Sequence, residues 1–303
     1  AEAVKRVTGV SVEGGKYVYI RGLGDRYIKN TLNQMDIPGL DPDKNTLQMD
    51  IFPTNLIDNI TVDKTFTADK PADFTGGLLD IEIKDFPEKE QLSLSAGAGF
   101  NPAMHFNPDY LTYEGGDTDF LGFDDGTRAL PDEAGQQRIP TPISGASQAQ
   151  VNDFIKGFNP NLSAERQQSF MDYSLSASYG NQIALNKAGG NTEKSPKLGY
   201  FASVSYKAEH KFYQDVEYGS YNRYQDPGLY DLKVSTRRKG AFGEDSRLIG
   251  LLGGMAYKTN QSKIRFTAMH LQSGVSRASK FRVFNNEDAA GQSGYIADVD
   301  NLE

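Results

Sequence analysis

Between residues 92 and 100 the chain reads LSLSAGAGF. Leu92, Leu94, Ala96, Ala98 and Phe100 fall on one face of an extended strand, and Ser93, Ser95, Gly97 and Gly99 on the other. An apolar face backed by a small or polar one is the dyad of a strand that meets lipid outside and a filled interior inside. The pattern recurs. Met171, Tyr173, Leu175, Ala177 and Tyr179 alternate with Asp172, Ser174, Ser176 and Ser178, and Tyr200, Ala202, Val204 and Tyr206 alternate with Ser203, Ser205 and Lys207. In residues 263–272, Ile264, Phe266 and Ala268 oppose Arg265 and Thr267, while residues 247–258 form a less clean strand with apolar residues or glycine on both faces. Connections between these segments alternate long and short, so the first strand runs outward if long loops face the outside. No run approaches the roughly 20 apolar residues of a spanning helix, which leaves strands as the only means of crossing a bilayer. A soluble β-sandwich shows the same kind of alternation.

Composition agrees with strands and turns: 31 Gly, 17 Phe and 16 Tyr stand among 303 residues. The chain has no cysteine, which excludes a disulfide framework or thiolate metal site. A net charge of -8 argues against general nucleic-acid binding, which needs a basic surface.

Residues 1–84 read differently, as a small mixed α/β unit. AEAVKRV is the end of a helix; Val10 and Val12 begin a strand, and Gly14-Gly15 turns it into Tyr17–Ile20 as a hairpin. GLGDRY at 22–27 lacks the third glycine and the following helix of a dinucleotide loop and the Lys-Ser/Thr of a P-loop, so it is a tight turn. A strand is expected over 30–37, a turn-rich exposed loop over 38–45, and a short helix over 53–60 with Thr54 as cap and Leu56, Ile57 and Ile60 on one face. In 78–84, Leu79, Ile81 and Ile83 form an apolar face and Asp80, Glu82 and Lys84 a charged one.

Taken in order, KRVTGVSV, the IRG at 20–22, FPTNLIDNITVDKTFT and the closing GGLLDIEIKDFP resemble the plug domain of TonB-dependent outer-membrane transporters. The likeness covers most of residues 1–87; one departure is Gln34, where the family often has glycine after the hairpin Asn. The resemblance implies a plug over 1–87, its amino-terminal part missing, followed over 91–303 by the first antiparallel strands of an outer-membrane β-barrel. Five strands cannot close a barrel that in plugged transporters has about 22, so the chain is expected to be an amino-terminal part of a longer protein. The implied activity is uptake without a covalent reaction at the outer membrane of a Gram-negative bacterium. The receptor binds a scarce small-molecule, glycan or peptide ligand at the surface, and TonB with its inner-membrane motor complex remodels the plug. The TonB-contacting segment lies before the plug in this family, so these residues alone are expected not to bind TonB. The alternative is a plugged receptor for signalling or for assembly with a surface lipoprotein.

The same resemblance turns two plug segments toward the ligand: Asp25, Arg26 and Tyr27 in the first, and Asp41, Asp43, Lys44 and Asn45 in the second. Arg21, Glu82 and Lys84 are the implied charged latch between plug and barrel wall. In the connection 211–246, Phe212, Tyr213, Tyr218, Tyr221, Tyr224 and Tyr230 are crowded together. They form either an interfacial belt at the loop base or, farther out, stacking surfaces for ligand, in which Tyr213, Tyr218 and Tyr221 are the candidates. No catalytic set, resident cofactor or metal site is expected. His105, His210 and His270 are far apart in sequence and read as surface or interface histidines. Asp117, Asp119, Asp124 and Asp125 lack the spacing and terminal Glu of a calcium loop and read as a solvated acidic loop.

Overall fold

The computed structural model describes residues 7–13, 17–23, 25–37, 39, 49, 52, 56–84, 87–129, 134, 139–161, 163–185, 195–224, 228–286 and 295–302. They divide into two compact units, the first made of 1–97, 174–207 and 248–273, the second of 98–173, 208–247 and 274–303.

In the first unit, β1 (Val10–Glu13) and β2 (Tyr17–Ile20) pair antiparallel with Val10 opposite Ile20, as the Gly-Gly turn signal requires. A four-stranded sheet follows in the order β4–β3–β6–β5, built from β3 (Ile28–Leu32), β4 (Met35–Asp36), β5 (Ile57–Asp63) and β6 (Gly77–Ile83). β3 runs parallel to β6, and β4 and β5 run antiparallel to their neighbours. Two expectations are corrected here. The strand expected over 30–37 is a hairpin, because Asn33 and Gln34 take φ of 50° and 68° and reverse the chain. The helix expected over 53–60 is a strand from Ile57 onward, because β6 needs a partner on that edge and Ile57, Ile60 and Val62 pack against the core as β-branched strand residues do; Thr54 lies outside the described residues.

β6 is the middle of this sheet, and both of its faces are covered. Leu78, Leu79, Asp80, Ile81 and Ile83 are all buried, so Asp80 is not on a solvated face as the alternation implied. Its Oδ1 accepts a hydrogen bond from Thr31 Oγ1 at 2.6 Å and another from the Gln34 N–H at 2.8 Å. Asn33 Oδ1 accepts from the Ile83 N–H at 3.1 Å. The positive-φ turn is therefore braced against β6 by two side chains, Asp80 from the strand and Asn33 from the turn, which lets Gln34 occupy a conformation that glycine takes more easily. Gly77 lets Ile20 lie against β6: a Cβ there would stand 2.6 Å from Ile20 Cδ1.

Val18, Ile20, Leu79 and Ile81 form one hydrophobic core with Phe201, Leu248 and Leu252, with Met269 and Leu271 packed at its margin. These partners belong to β11 (Lys197–Arg223), β12 (Leu232–Lys258) and β13 (Lys263–Asn285). That accounts for the two apolar faces of 247–258. Leu248 and Leu252 face the small sheet, while Leu251, Met255 and Tyr257 on the other face are exposed. Leu92, Leu94, Leu175, Val204, Ile264 and Phe266 are exposed as well. They lie on β7 (Gln91–Gly99), β10 (Asp172–Ala184), β11 and β13.

The long strands form a six-stranded sheet in the order β14–β13–β12–β11–β10–β7, each beside its neighbour in sequence apart from the intervening β8 and β9. β14 (Tyr295–Leu302) was not foreseen; it is short and carries Asp298 and Asp300, which face Arg282 and Lys280 across the pair with β13. β11 and β12 each run for 27 residues and β13 for 23, far beyond the segments that alternation marked.

In the second unit, the long connection after β7 is folded. β8 (Leu111–Thr112) pairs with β9 (Glu165–Arg166), and α1 (Gln148–Lys156) starts at Ser147 with a capping box completed by Gln150. Tyr110, Leu111, Ala164, Phe212 and Ala278 form its core.

Candidate functional site

The aromatic-rich stretch after Lys211 is strand rather than loop, since β11 continues to Arg223 and β12 begins at Leu232. Side chains two apart share a strand face, and the contacts show which. Lys211 Nζ lies 2.6 Å from Glu244 Oε1, and Arg277 Nη2 donates to Glu244 Oε2 at 2.8 Å. One carboxylate thus ties together three adjacent strands. On the same face, two residues along β11 and β12, the Tyr213 and Phe242 rings stack at 4.9 Å and 31°. The left-handed φ of 52° at Asp215 interrupts the alternation between Tyr213 and Tyr218, and four residues beyond Arg277, Phe281 meets Tyr218 at 5.7 Å. Lys211, Tyr213, Tyr218, Phe242, Glu244, Arg277 and Phe281 therefore build one surface. Tyr213 and Tyr218 keep about half of their area open.

Glu244 is largely buried, and burial by itself would push its carboxyl up. Hydrogen bonds from Lys211 and Arg277 outweigh this and hold it below the usual carboxylate range. For Lys211, burial pulls downward but the Glu244 hydrogen bond prevails and the ammonium is held above its ordinary value. Both lie outside the segments that alternation marks as bilayer-spanning. The surface thus offers two ring pairs above a fixed charged row, a combination suited to a flat or cyclic polar ligand.

Tyr221, three residues past Tyr218, points to the opposite face and folds over Gly219, where a Cβ would stand 2.7 Å from its ring. Two of the three candidate tyrosines are thus brought together and the third is not. Phe242, Glu244, Arg277 and Phe281 were missed, because the alternation that would have found them lay outside the segments first read as strands.

Asp25–Tyr27 is a single 3-10 turn, with Arg26 and Tyr27 exposed. The Tyr27 carbonyl is held by the Gly76 N–H at 3.0 Å. Asp41, Asp43, Lys44 and Asn45 lie outside the described residues. Of the latch candidates, Arg21 sits on an exposed turn with φ 55°. Glu82 and Lys84 are half-buried, and Lys84 lines a cavity of about 640 Å³ with Asp58, Glu88, Glu90 and Lys258. Arg21 is not part of that lining. Arg265, which alternation marked only as polar, donates to the Ile83 carbonyl at 3.4 Å, a contact between the small sheet and β13.

The histidine expectation is corrected in two of three positions. His270 is exposed, but His105 and His210 are buried and adjacent. The acidic loop is also more ordered than its composition implied. Asp119 forms a bidentate pair with Arg128, and Asp125 accepts from the N–H groups of Asp117 and Thr127. Asp119, Asp124 and Arg128 line a cavity of about 470 Å³ with Tyr113, Asp245 and Arg247.

Residues 1–78 match the family model described as the TonB-dependent Receptor Plug Domain. The chain carries a TonB-dependent receptor plug. That assignment covers β1 to β5 and the start of β6, the part of the first unit that packs on Phe201, Leu248 and Leu252. The plug supports a TonB-dependent receptor, of a family that works in outer-membrane transport, and the strand-rich remainder fits a β-barrel. No curated protein and no solved structure matches the chain.

Proposed function

We propose that this receptor is an active transporter of a Gram-negative outer membrane, taking up a scarce ligand through plug rearrangement driven by TonB and its inner-membrane motor complex. The observation that carries this reading is the plug itself, matched over residues 1–78 and sharing a hydrophobic core with β11 and β12. In this proposal residues 1–87 are the plug and 91–303 the first strands of a barrel of about 22. The first-unit parts of the long strands, 174–184, 197–207, 248–258 and 263–273, each have the roughly 9–11 residues that a bilayer requires. Their exposed apolar face would meet lipid.

Ligand contact is proposed at two places taken separately: Asp25, Arg26 and Tyr27 in the plug, and Tyr213 and Tyr218, joined by Phe242 and Phe281, on the long strands; Tyr221 belongs to the second set only if the ligand also reaches the opposite face. The latch proposal for Arg21, Glu82 and Lys84 is extended to Arg265.

The test uses the full-length receptor in its own outer membrane. Uptake of an iron chelate, cobalamin and defined oligosaccharides is compared in cells with and without the receptor, and with and without TonB. One class should enter only when both are present, and Tyr213→Ala with Tyr218→Ala should weaken its binding. Surface localisation without TonB-dependent uptake of any class, combined with co-purification of a lipoprotein, would favour the receptor or assembly role instead.

A further inference from the structure

Two buried imidazoles sit where the folded connection of the second unit rests on the strands. His105 is 4% exposed and His210 6%. The Asn101 N–H donates to His105 Nδ1 at 2.9 Å, so the His105 proton resides on Nε2. From there it points to the His210 carbonyl at 3.1 Å and to Asp172 Oδ1 at 3.2 Å. Asp172 Oδ1 in turn accepts the backbone N–H of His210 at 2.8 Å. The ring of His210 has Nε2 3.4 Å from Asp245 Oδ1 and 3.3 Å from Arg247 Nη2, while its Nδ1 is buried without a hydrogen bond among the described residues. Tyr110, on the covering segment, is also buried, with its hydroxyl near Asp245 but without hydrogen-bond geometry.

Nearby, Ser169 Oγ donates to the Met104 carbonyl at 3.1 Å and Gln168 Nε2 to the Phe106 carbonyl at 2.8 Å, closing the two ends of the segment on each other. Beside the apolar packing of Tyr110 on Phe212, the polar contacts that seat residues 101–110 on β10 and β11 thus run through the two histidines.

We propose that His105 and His210 form an acid-released latch: neutral, they hold the 101–169 segment against the strands, and protonated, they let it lift. The chemistry on each side is distinct. A second proton on His105 would have to take the Nδ1 lone pair that receives the Asn101 N–H, leaving two donors facing each other. A proton on His210 would place an imidazolium beside the Arg247 guanidinium in a buried site. The groups facing His210 are Asp172 from β10, Asp245 and Arg247 from β12, and His105 from the segment, whose Tyr110 stands against Asp245; Glu244 and Lys211 stand on the other face of the sheet.

The two carboxylates favour the imidazolium, and burial, Arg247 and the neighbouring His105 oppose it. Burial is the largest of these, and the His210 pKa is lowered. The closed state therefore binds fewer protons than the open one. Its stabilisation is complete above about pH 6.5, where a free imidazole is neutral, and declines as pH falls below that value.

The experiment is hydrogen exchange on the full-length receptor in lipid at pH 7.5 and pH 5.0, corrected for intrinsic rates and followed at the amides of Phe106, Tyr110 and Gln167, all hydrogen-bonded within the segment. His210, staying neutral when closed and titrating normally when open, by itself favours opening by up to about 30-fold at pH 5.0. Protection at these amides should fall by several-fold to that limit. The Asn33 amide, bonded to the Ile81 carbonyl in the plug, should hold. His105→Gln with His210→Gln should flatten the pH response, and His270→Gln should leave it intact. Unchanged protection in the unsubstituted receptor would overturn the proposal, whatever the variants do. So would an equal loss in plug and segment, or a full pH response surviving in the double variant.

Discussion

Replacing Asp80 with alanine tests whether the plug hairpin is held from β6. The carboxylate is 5% exposed and accepts two short hydrogen bonds, from Thr31 Oγ1 at 2.6 Å and from the Gln34 N–H at 2.8 Å. Bonds to a charged group contribute about 1.5–3 kcal/mol each. Thr31 is 2% exposed and would be left with an unsatisfied hydroxyl, whereas Gln34 lies on an exposed turn and can bond water instead. Relief from burying a charge offsets part of the loss. The net cost is about 2–4 kcal/mol, or roughly a 30- to 700-fold rise in local opening at 1.4 kcal/mol per tenfold. Native-state hydrogen exchange on the full-length receptor reads this at the β3 and β6 amides, including Asn33, whose N–H bonds the Ile81 carbonyl at 2.9 Å. Thr31→Val completes a cycle with Asp80→Ala and should show a coupling of about 1.5–3 kcal/mol. Protection within threefold of the unsubstituted receptor, or strictly additive effects, would show that the turn holds its positive-φ residues without Asp80.

Asn30 is 3% exposed and neither side-chain atom has a hydrogen bond among the described residues, so Asn30→Leu should raise plug stability by about 1–3 kcal/mol, seen as slower exchange in β3; faster exchange would reveal a polar role for the amide. Two adjacent glycines in β12 should respond differently to alanine. A Cβ on Gly254 would lie 2.4 Å from the Phe201 ring and should cost about 1–3 kcal/mol, whereas one on Gly253 meets its first neighbour at 3.7 Å and should be tolerated; equal thermal midpoints for the two variants would refute the packing argument. Glu244→Gln should cost about 1 kcal/mol, discounted because Lys211 and Arg277 are about 41% and 36% exposed. Since the Glu244 pKa is depressed from 4.5, its stabilisation is present above that pH and fades as pH falls through the lower value; exchange at β12 and β13 should therefore become faster on acidification in the unsubstituted receptor, and the variant should lack that component.

Local pattern alone determined a good deal here. The antiparallel pair of β1 and β2, the closing plug strand from Gly77 and the exposed apolar face of the long strands all follow from side-chain period and turn chemistry, which act over a few residues. The reach of β11, β12 and β13 did not, because beyond the alternating segments these strands meet a folded connection and charged cross-strand partners, so the simple period dissolves. For the same reason Phe242, Glu244, Arg277 and Phe281 joined the candidate surface only once the strands were side by side. Asp80 has the sequence appearance of a solvated residue and becomes a buried brace because both faces of β6 are covered. His105 and His210, 105 positions apart, become neighbours by the same route. Alternation and turn residues decide which backbone forms a strand. Which polar side chains those strands bury, and against whom, is decided by contacts distant in sequence, whose desolvation and hydrogen bonding no local pattern encodes.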